Sequence, residues 1–154
     1  MITILTIIIF GMDILSKIIV KKYISFGESV EVINKFLYMT HVRNTGAAWS
    51  IFDNNRYFVL IISAIIILGL IIYIIKNKPD KNIEKVAYGF ILGGAFGNFV
   101  NRCINGYVTD FIDVKIFNYD YPIFNLADAF IVIGVVLFII YTWRCNDGDK
   151  SSRR

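Results

Sequence analysis

This chain of 154 residues has only two cysteines and one histidine, and its sequence contains no glycine-rich phosphate-binding loop. Each of these features argues against a class of functional site. Cys103 and Cys145 stand far apart without metal-ligand spacing, so we expect two free thiols. His41 is the single histidine, so a zinc site would lack a second imidazole ligand. His41 also has no serine or cysteine in a recognisable catalytic motif that it could activate. Zinc, serine and cysteine hydrolases therefore lack support, as do phosphate-loop enzymes.

Charge is also scarce. Charged residues make up 18% of the chain and hydrophobic residues 56%, with a mean hydropathy of +0.62. A soluble domain of this size carries more charge, so the composition predicts one integral-membrane domain over residues 1–154. The net charge of +4 comes without a basic patch with interleaved aromatics. We therefore attribute it to membrane topology and expect no nucleic acid partner.

Four apolar segments predict membrane-spanning helices at about 2–20, 57–75, 86–103 and 123–143. The first lacks the basic start and cleavage site of a removable signal peptide, so we expect it to be retained. The third is rich in glycine and short on apolarity, and it can cross only if its polar side chains face protein or water. The predicted fold class is a membrane all-α protein with a small β element.

The distribution of lysine and arginine sets the predicted topology. The Lys-dense connector at about 76–85 and the basic tail at about 144–154 favour the cytoplasm, together with both termini. The segments at about 21–56 and 104–122 then lie outside the cytoplasm. Within the first of them, β-branched and aromatic residues predict one or two strands, and residues 106–113 favour another. A small extracytoplasmic β-sheet on the membrane face follows.

Two aspartates flank the start of the last apolar segment. Asp110 and Asp128 should lie at the same membrane face, where an ionisable group is a functional candidate. Two close carboxylates in a low-dielectric site share one proton, so one can act as base and the other as acid. The alternative is an interfacial pair in which one aspartate caps a helix. Asp113 competes with Asp110, because residues three apart in a strand face opposite ways, and position alone leaves both open.

Two further polar pairs are spaced four apart on predicted helices. Asp13 and Lys17 favour a buried ion pair, with a proton or ion path as the rival interpretation. Asn98 and Arg102 share a helical face, and Arg102 could pin the loop carrying Asp110 by bidentate hydrogen bonds or extend to the interface.

A polar turn is predicted at residues 44–50. Its sequence, Asn-Thr-Gly-Ala-Ala-Trp-Ser, opens into small residues. Asn44 could hydrogen-bond a substrate backbone there. The plainer interpretation is a turn before an interfacial tryptophan.

Taken together, these segments resemble the bacterial lipoprotein signal peptidase family, also called signal peptidase II. The resemblance covers nearly the whole chain, and its specificity comes from five motifs that fall in order. They are Asp13-Ile14-Leu15-Ser16-Lys17, Asn44-Thr45-Gly46-Ala47-Ala48-Trp49-Ser50, Gly93-Gly94-Ala95-Phe96-Gly97-Asn98-Phe99-Val100-Asn101-Arg102, Gly106-Tyr107-Val108-Thr109-Asp110-Phe111-Ile112-Asp113 and Phe124-Asn125-Leu126-Ala127-Asp128-Ala129.

The resemblance implies roles for individual residues. Asp110 and Asp128 are the implied catalytic pair, which sets Asp113 aside. The residues implied to support the pair or to bind and orient substrate are Asp13, Lys17, Asn44, Gly46, Asn98, Arg102, Asn125 and Ala127. Asn101 is a departure, because the family usually has aspartate at this position, so any acidic role there is in doubt.

The resemblance also implies an activity and a location. It implies an aspartic endopeptidase that cuts diacylglyceryl-modified prolipoproteins just before the lipidated cysteine. Membrane lipids are expected partners, with no metal, no organic cofactor and no obligate protein partner. The implied location is the bacterial cytoplasmic membrane, with the active site on the extracytoplasmic side. The rivals are a non-enzymatic ion-path component and an assembly subunit, and the uncharged second apolar segment argues against an ion path.

Overall fold

The computed structural model describes residues 1–46, 55–116 and 119–151. Within them, helices dominate and a small antiparallel sheet lies at one end. In chain order the elements are α1 (Ile2–Tyr23), β1 (Ser29–Ile33), β2 (Leu37–Asn44), α2 (Arg56–Asn77), α3 (Asn82–Asn105), β3 (Val108–Ile116), β4 (Tyr119–Asp120) and α4 (Leu126–Ser151). The predicted turn at residues 44–50 lies outside the described residues from Ala47 onward.

Three helices of the described chain are long and apolar enough to cross a membrane: Ile2–Tyr23, Tyr57–Asn77 and Leu126–Cys145. The helix α3 is 24 residues long but less apolar, because glycines and polar side chains interrupt it. It packs against α1, α2 and α4, so its polar face meets protein. Its Asn98 and Asn101 side chains are buried.

The helices do not begin and end at the approximate bounds of the predicted spans. The sequence predicts a fourth span from about residue 123, and α4 begins at Leu126. The apolar residues before it are extended instead, since the backbone of Phe124 bridges to Ile112 of β3. At its other end α4 continues to Ser151, beyond the expected end at 143. The predicted connector at 76–85 shrinks to residues 78–81, because α2 and α3 extend into it.

Glycines let α3 approach its neighbours closely. A Cβ added at Gly93 would lie 2.6 Å from Cβ of Ile9 in α1, and one added at Gly94 would lie 2.8 Å from Cγ1 of Ile131 in α4. Both distances are too short for real carbon atoms. Small residues at helix interfaces allow such close backbone packing in membranes. The bundle therefore brings the polar side chains of α3 within hydrogen-bond reach of α1 and α4.

The sheet has the strand order β1-β2-β3-β4, with antiparallel neighbours. β3 follows α3 after a turn at Gly106, whose φ of 77° is a left-handed conformation that suits glycine. β3 pairs with β2 on one side, and Asn44 lies opposite Val108. The bridge between Phe124 and Ile112 ties the start of α4 to the same strand. Asp110 of β3 and Asp128 of α4 are thereby brought to one place.

Candidate active site

Asp110 is the third residue of β3 and is 2% exposed. Its Oδ1 accepts a hydrogen bond from Nδ2 of Asn125 at 2.6 Å, and its Oδ2 accepts one from Nδ2 of Asn44 at 2.8 Å. Burial raises the pKa of the Asp110 carboxyl to about 6, and the negative charge of Asp128 adds to the rise. The two amide hydrogen bonds act in the opposite direction without cancelling it.

Asp128 lies in the first turn of α4, where it forms a capping box with Asn125. The Asn125 side-chain oxygen accepts from the Asp128 backbone N–H at 3.1 Å, and Oδ2 of Asp128 accepts from the Asn125 backbone N–H at 3.1 Å. Two N–H groups at the helix start are satisfied in this way. The same motif that begins α4 fixes the orientation of the Asp128 carboxylate and aims the Asn125 amide at Asp110.

A buried ion pair between Asp13 and Lys17 is connected to Asp128 through Asn98. Nζ of Lys17 donates to Oδ2 of Asp13 at 2.7 Å and to Oδ1 of Asn98 at 2.8 Å. Asn98 in turn donates to Oδ1 of Asp128 at 2.7 Å. The other oxygen of Asp13 accepts from the backbone N–H of Ala127 at 3.0 Å, at the start of α4. The ion pair expected from the spacing of Asp13 and Lys17 is therefore present, and it links α1 to α3 and α4.

The orientation of each asparagine amide is determined by its second partner. The carbonyl oxygen of Asn98 faces the Lys17 ammonium, and those of Asn44 and Asn125 face the backbone N–H groups of Gly46 and Asp128. Each of these partners can only donate. Each asparagine therefore directs its NH2 group to a carboxylate oxygen of Asp110 or Asp128.

The structure differs from the sequence-based expectation for Arg102. Its Nη2 donates to the backbone carbonyl of Gly46 at 2.8 Å, so it holds the segment after β2 and makes no bidentate bond with Asp110. Asn101, the departure from the family pattern, accepts the Thr109 backbone N–H at 2.8 Å. An aspartate would accept the same bond. Asn101 thus positions the residue before Asp110 without needing a charge, a role that sequence reasoning missed because the contact depends on the turn at Gly106.

Asp113 belongs to a different environment from Asp110. Its Oδ2 accepts from the Thr40 hydroxyl at 2.8 Å, across the pairing of β2 with β3. The residue shares no partner with Asp128 among the hydrogen bonds of the described chain. Of the two candidates that position alone left open, Asp110 is the one connected to Asp128 through Asn125.

Asp110 and Asp128 both line a cavity of about 330 Å³. Its lining includes the polar side chains of Asn44, Asn98 and Arg102, and the apolar side chains of Ile131 and Val132 of α4. A second, more apolar depression adjoins it and shares Phe124, Asp128 and Val132. A peptide bond with an apolar neighbour fits such a site, and a water between two carboxylates could be deprotonated by one while the other protonates the carbonyl. Within the described residues no cluster of three or more His, Cys, Asp or Glu side chains could hold a metal.

The chain is similar to known proteins over most of its length. A family model described as Signal peptidase (SPase) II matches residues 5–144. The chain is 41% identical over 139 residues to a lipoprotein signal peptidase of Anoxybacillus flavithermus, covering 90% of this chain and 83% of that protein. It is 42% identical over 140 residues to one of Listeria monocytogenes, covering 90% of each.

Two solved structures are similar to this fold. Both are described as bacterial membrane enzymes whose structures were obtained by the in meso method. The first has a TM-score of 0.87 at 38% identity and covers 99% of this chain and 91% of its own. The second has a TM-score of 0.82 at 40% identity and covers 92% of this chain and 91% of its own.

Proposed function

Because this chain belongs to the signal peptidase II family, we propose that it is an aspartic endopeptidase that cleaves diacylglyceryl-modified prolipoproteins just before the lipidated cysteine. Membership makes it a membrane protease that processes lipoproteins. The aspartic mechanism, the site residues and the exact bond are the proposed part. The observation that carries it is the pair Asp110 and Asp128, which line one cavity and both bond to Asn125.

In the proposed mechanism the pair holds one proton in the resting enzyme. The ionised carboxylate removes a proton from a water molecule, which attacks the carbonyl carbon of the scissile bond. The protonated carboxyl gives its proton to the carbonyl oxygen, and the resulting tetrahedral intermediate collapses with transfer of a proton to the leaving amine. Like-charge repulsion between two buried carboxylates favours this singly protonated state.

The surrounding residues act by holding the pair in place. Asn98 donates a hydrogen bond to Asp128 and accepts one from Lys17. Asp13 accepts the backbone N–H of Ala127 and so fixes the start of α4. Asn44 donates a hydrogen bond to Asp110. Arg102 donates one to the carbonyl of Gly46, two residues after Asn44, and so holds that segment in place. Such preorganisation lowers the cost of reorienting dipoles during the reaction.

The proposed substrate fits a site at a membrane surface. Acyl chains of the lipidated cysteine can remain in the bilayer beside the apolar outer faces of the helices, while the scissile bond reaches the cavity. Binding energy from the chains, far from the reacting bond, can then help to orient that bond. This substrate requires no metal, cofactor or second protein, and membrane lipids are the surrounding partners.

We further propose a topology of four spans in the bacterial cytoplasmic membrane, with α3 as the least apolar of them. Both termini and the 78–81 connector lie in the cytoplasm, and the sheet and cavity lie on the outer side. The Lys-rich connector and tail support this orientation. Residues 1–154 form one domain in this arrangement.

The test is cleavage by the purified protein in lipid of a diacylglyceryl-modified prolipoprotein, beside the same precursor without lipid. We expect cleavage of the lipidated form alone, with mass spectrometry locating the new amino terminus at the lipidated cysteine. A protein that is folded but cuts neither precursor would overturn the proposed activity. Equal cleavage of both precursors would overturn the proposed substrate class.

A further inference from the structure

The two carboxylates of the pair accept similar hydrogen bonds but lie in different surroundings. Among the described residues, each oxygen of Asp110 and of Asp128 accepts one N–H group. Asp110 is almost fully buried, and burial raises the pKa of its carboxyl. Asp128 is only half-buried and lies in the first turn of α4, where the positive end of the helix dipole favours a negative charge. These surroundings favour the proton on Asp110 and the charge on Asp128.

The buried ammonium of Lys17 adds to this difference. Lys17 is 1% exposed, and its ion pair with Asp13, four residues away on α1, does not by itself involve the catalytic pair. The same ammonium also donates to Oδ1 of Asn98, 81 residues further along the chain, and Asn98 donates to Oδ1 of Asp128. One amide therefore connects the cation to one carboxylate of the pair.

This amide favours the ionised form of Asp128. An ammonium can only donate, so the Asn98 carbonyl faces Lys17 and its NH2 group faces Asp128. A hydrogen bond to an ionised carboxylate is stronger than one to a neutral carboxyl, and the ammonium polarises the amide and strengthens the bond further. Without the ammonium, the amide can turn round and offer its carbonyl oxygen to a protonated Asp128.

Four charged groups of the described chain interact electrostatically with Asp128. They are Asp13 and Lys17 on α1, Arg102 on α3 and Asp110 on β3. Asp13 offsets part of the Lys17 charge, and Arg102 directs its hydrogen bond to the carbonyl of Gly46. Of the two cations, Lys17 is the one that is connected to Asp128 through a single side chain.

We propose that Lys17 is a positioning residue for the hydrolysis, which acts through Asn98 to keep Asp128 ionised, so that Asp128 is the base and Asp110 the acid. This inference rests on the proposed function and assigns the two proton transfers. Asp128 takes a proton from the attacking water, and Asp110 gives its proton to the carbonyl oxygen. When the carbon–nitrogen bond breaks, Asp128 gives its proton to the leaving amine. Asp110 takes one back from a hydroxyl of the intermediate, which restores the resting pair.

The experiment compares the pH dependence of kcat/KM for the lipidated precursor in wild type and in the double variant Asp13→Asn, Lys17→Met. The double variant removes the ammonium without leaving the Asp13 charge buried alone, and an amide at position 13 can still accept the Ala127 N–H. The acidic side of the profile reports the first ionisation of the pair. We expect its midpoint to rise by about one pH unit or more, the effect of weakening one hydrogen bond to a charged group.

Three further variants separate this role from a structural one. Asp13→Asn alone keeps the ammonium and should not raise the acidic midpoint. Asn98→Leu removes the connecting amide but leaves the ion pair, so it should raise the midpoint even if the double variant does not fold. Lys21→Met is the matched control, because Lys21 lies four residues after Lys17 on α1 and its ammonium is 5.3 Å from the centre of the Tyr107 ring. It should keep the wild-type midpoint.

A purely structural role for Lys17 would lower kcat equally at every pH. The inference is therefore wrong if the folded double variant, or folded Asn98→Leu, keeps the acidic midpoint of wild type. It is also wrong if Lys21→Met moves the midpoint as far as the double variant does. If wild type does not cleave the lipidated precursor at any pH, the proposed function itself has failed.

Discussion

At the scale of single residues, the side chain of Asn125 has two roles that substitutions can separate. Its carbonyl oxygen caps α4, and its NH2 group donates to Asp110. A serine can keep the cap but cannot reach Asp110 with an amide. The consequences for folding and for catalysis can therefore be tested independently.

We expect Asn125→Ala to lower the free energy of unfolding by about 1 kcal/mol through loss of the cap. Asn125→Ser should recover most of that stability. Both variants should lose roughly tenfold or more in kcat, because each lacks the charge-assisted bond to Asp110. Thermal unfolding and cleavage rates measured side by side provide the check. A serine variant with wild-type kcat would show that the amide donor is unimportant.

The raised pKa of Asp110 makes a prediction about pH. The folded enzyme holds a proton on this carboxyl up to about pH 6, whereas an unburied aspartate has lost it near pH 4. The proton is thus present below pH 6 and lost above it, where Asp110 can no longer act as the acid of the pair. We expect kcat/KM to fall by about tenfold per pH unit on this alkaline side. A kcat/KM that instead rises through pH 6 to a plateau would assign Asp110 the role of base alone.

At the scale of elements, the contact between α3 and α4 depends on the absence of a side chain at Gly94. An added Cβ would overlap the Ala127 backbone carbonyl, in the same turn that carries Asp128. Gly69 of α2 offers the opposite case, since an added Cβ there meets nothing within 4 Å. The two positions therefore form a matched pair.

We expect Gly94→Ala to reduce the free energy of unfolding by about 1–3 kcal/mol, the usual cost of overpacking. Gly69→Ala should be neutral or stabilising by up to about 1 kcal/mol, because alanine favours the helix. Denaturation of both purified variants in the same detergent is the measurement. Equal stabilities for the two variants would mean that α3 and α4 do not approach as closely as described.

The sequence predicts most elements but not all their ends. Long apolar runs locate α1 and α2, and β-branched residues locate β2 and β3. The predicted span begins at about residue 123, before the start of α4, because Ile123 and Phe124 are as apolar as a span, whereas Phe124 forms a bridge to Ile112 of β3. Local periodicity carries no information about such a long-range pairing.

The sequence predicts which residues belong to the candidate site better than it predicts the hydrogen bonds between them. Asp110 and Asp128 stand out by position and by resemblance, and so do the asparagines around them. The partner of Arg102 was not predictable, since Gly46 is 56 residues away in the chain. The role of Asn101 also required the structure, because its bond to Thr109 forms across the turn that joins α3 to β3.

At the scale of the whole molecule, two native cysteines report the orientation in the membrane. Cys103 lies near the end of α3 beside the sheet, and Cys145 lies on α4 at the opposite end, both exposed. On the proposed topology, a membrane-impermeant thiol reagent applied to intact protoplasts should label Cys103 and leave Cys145 unlabelled until the membrane is opened. Cys103→Ser and Cys145→Ser assign the signals. Labelling of Cys145 alone in intact protoplasts would invert the topology.

The central claim, that Asp110 and Asp128 act as one catalytic pair, is tested most directly by three isosteric variants in the lipidated-precursor assay. Asp110→Asn and Asp128→Asn should each lose at least about 10³-fold in kcat while remaining folded, because the members of such a unit fail together. Asp113→Asn serves as the control, since this aspartate lies on the same strand but bonds to Thr40. It should keep activity within about tenfold of wild type, the loss of one hydrogen bond of about 1 kcal/mol. Substantial activity in either Asp110→Asn or Asp128→Asn would contradict the paired mechanism.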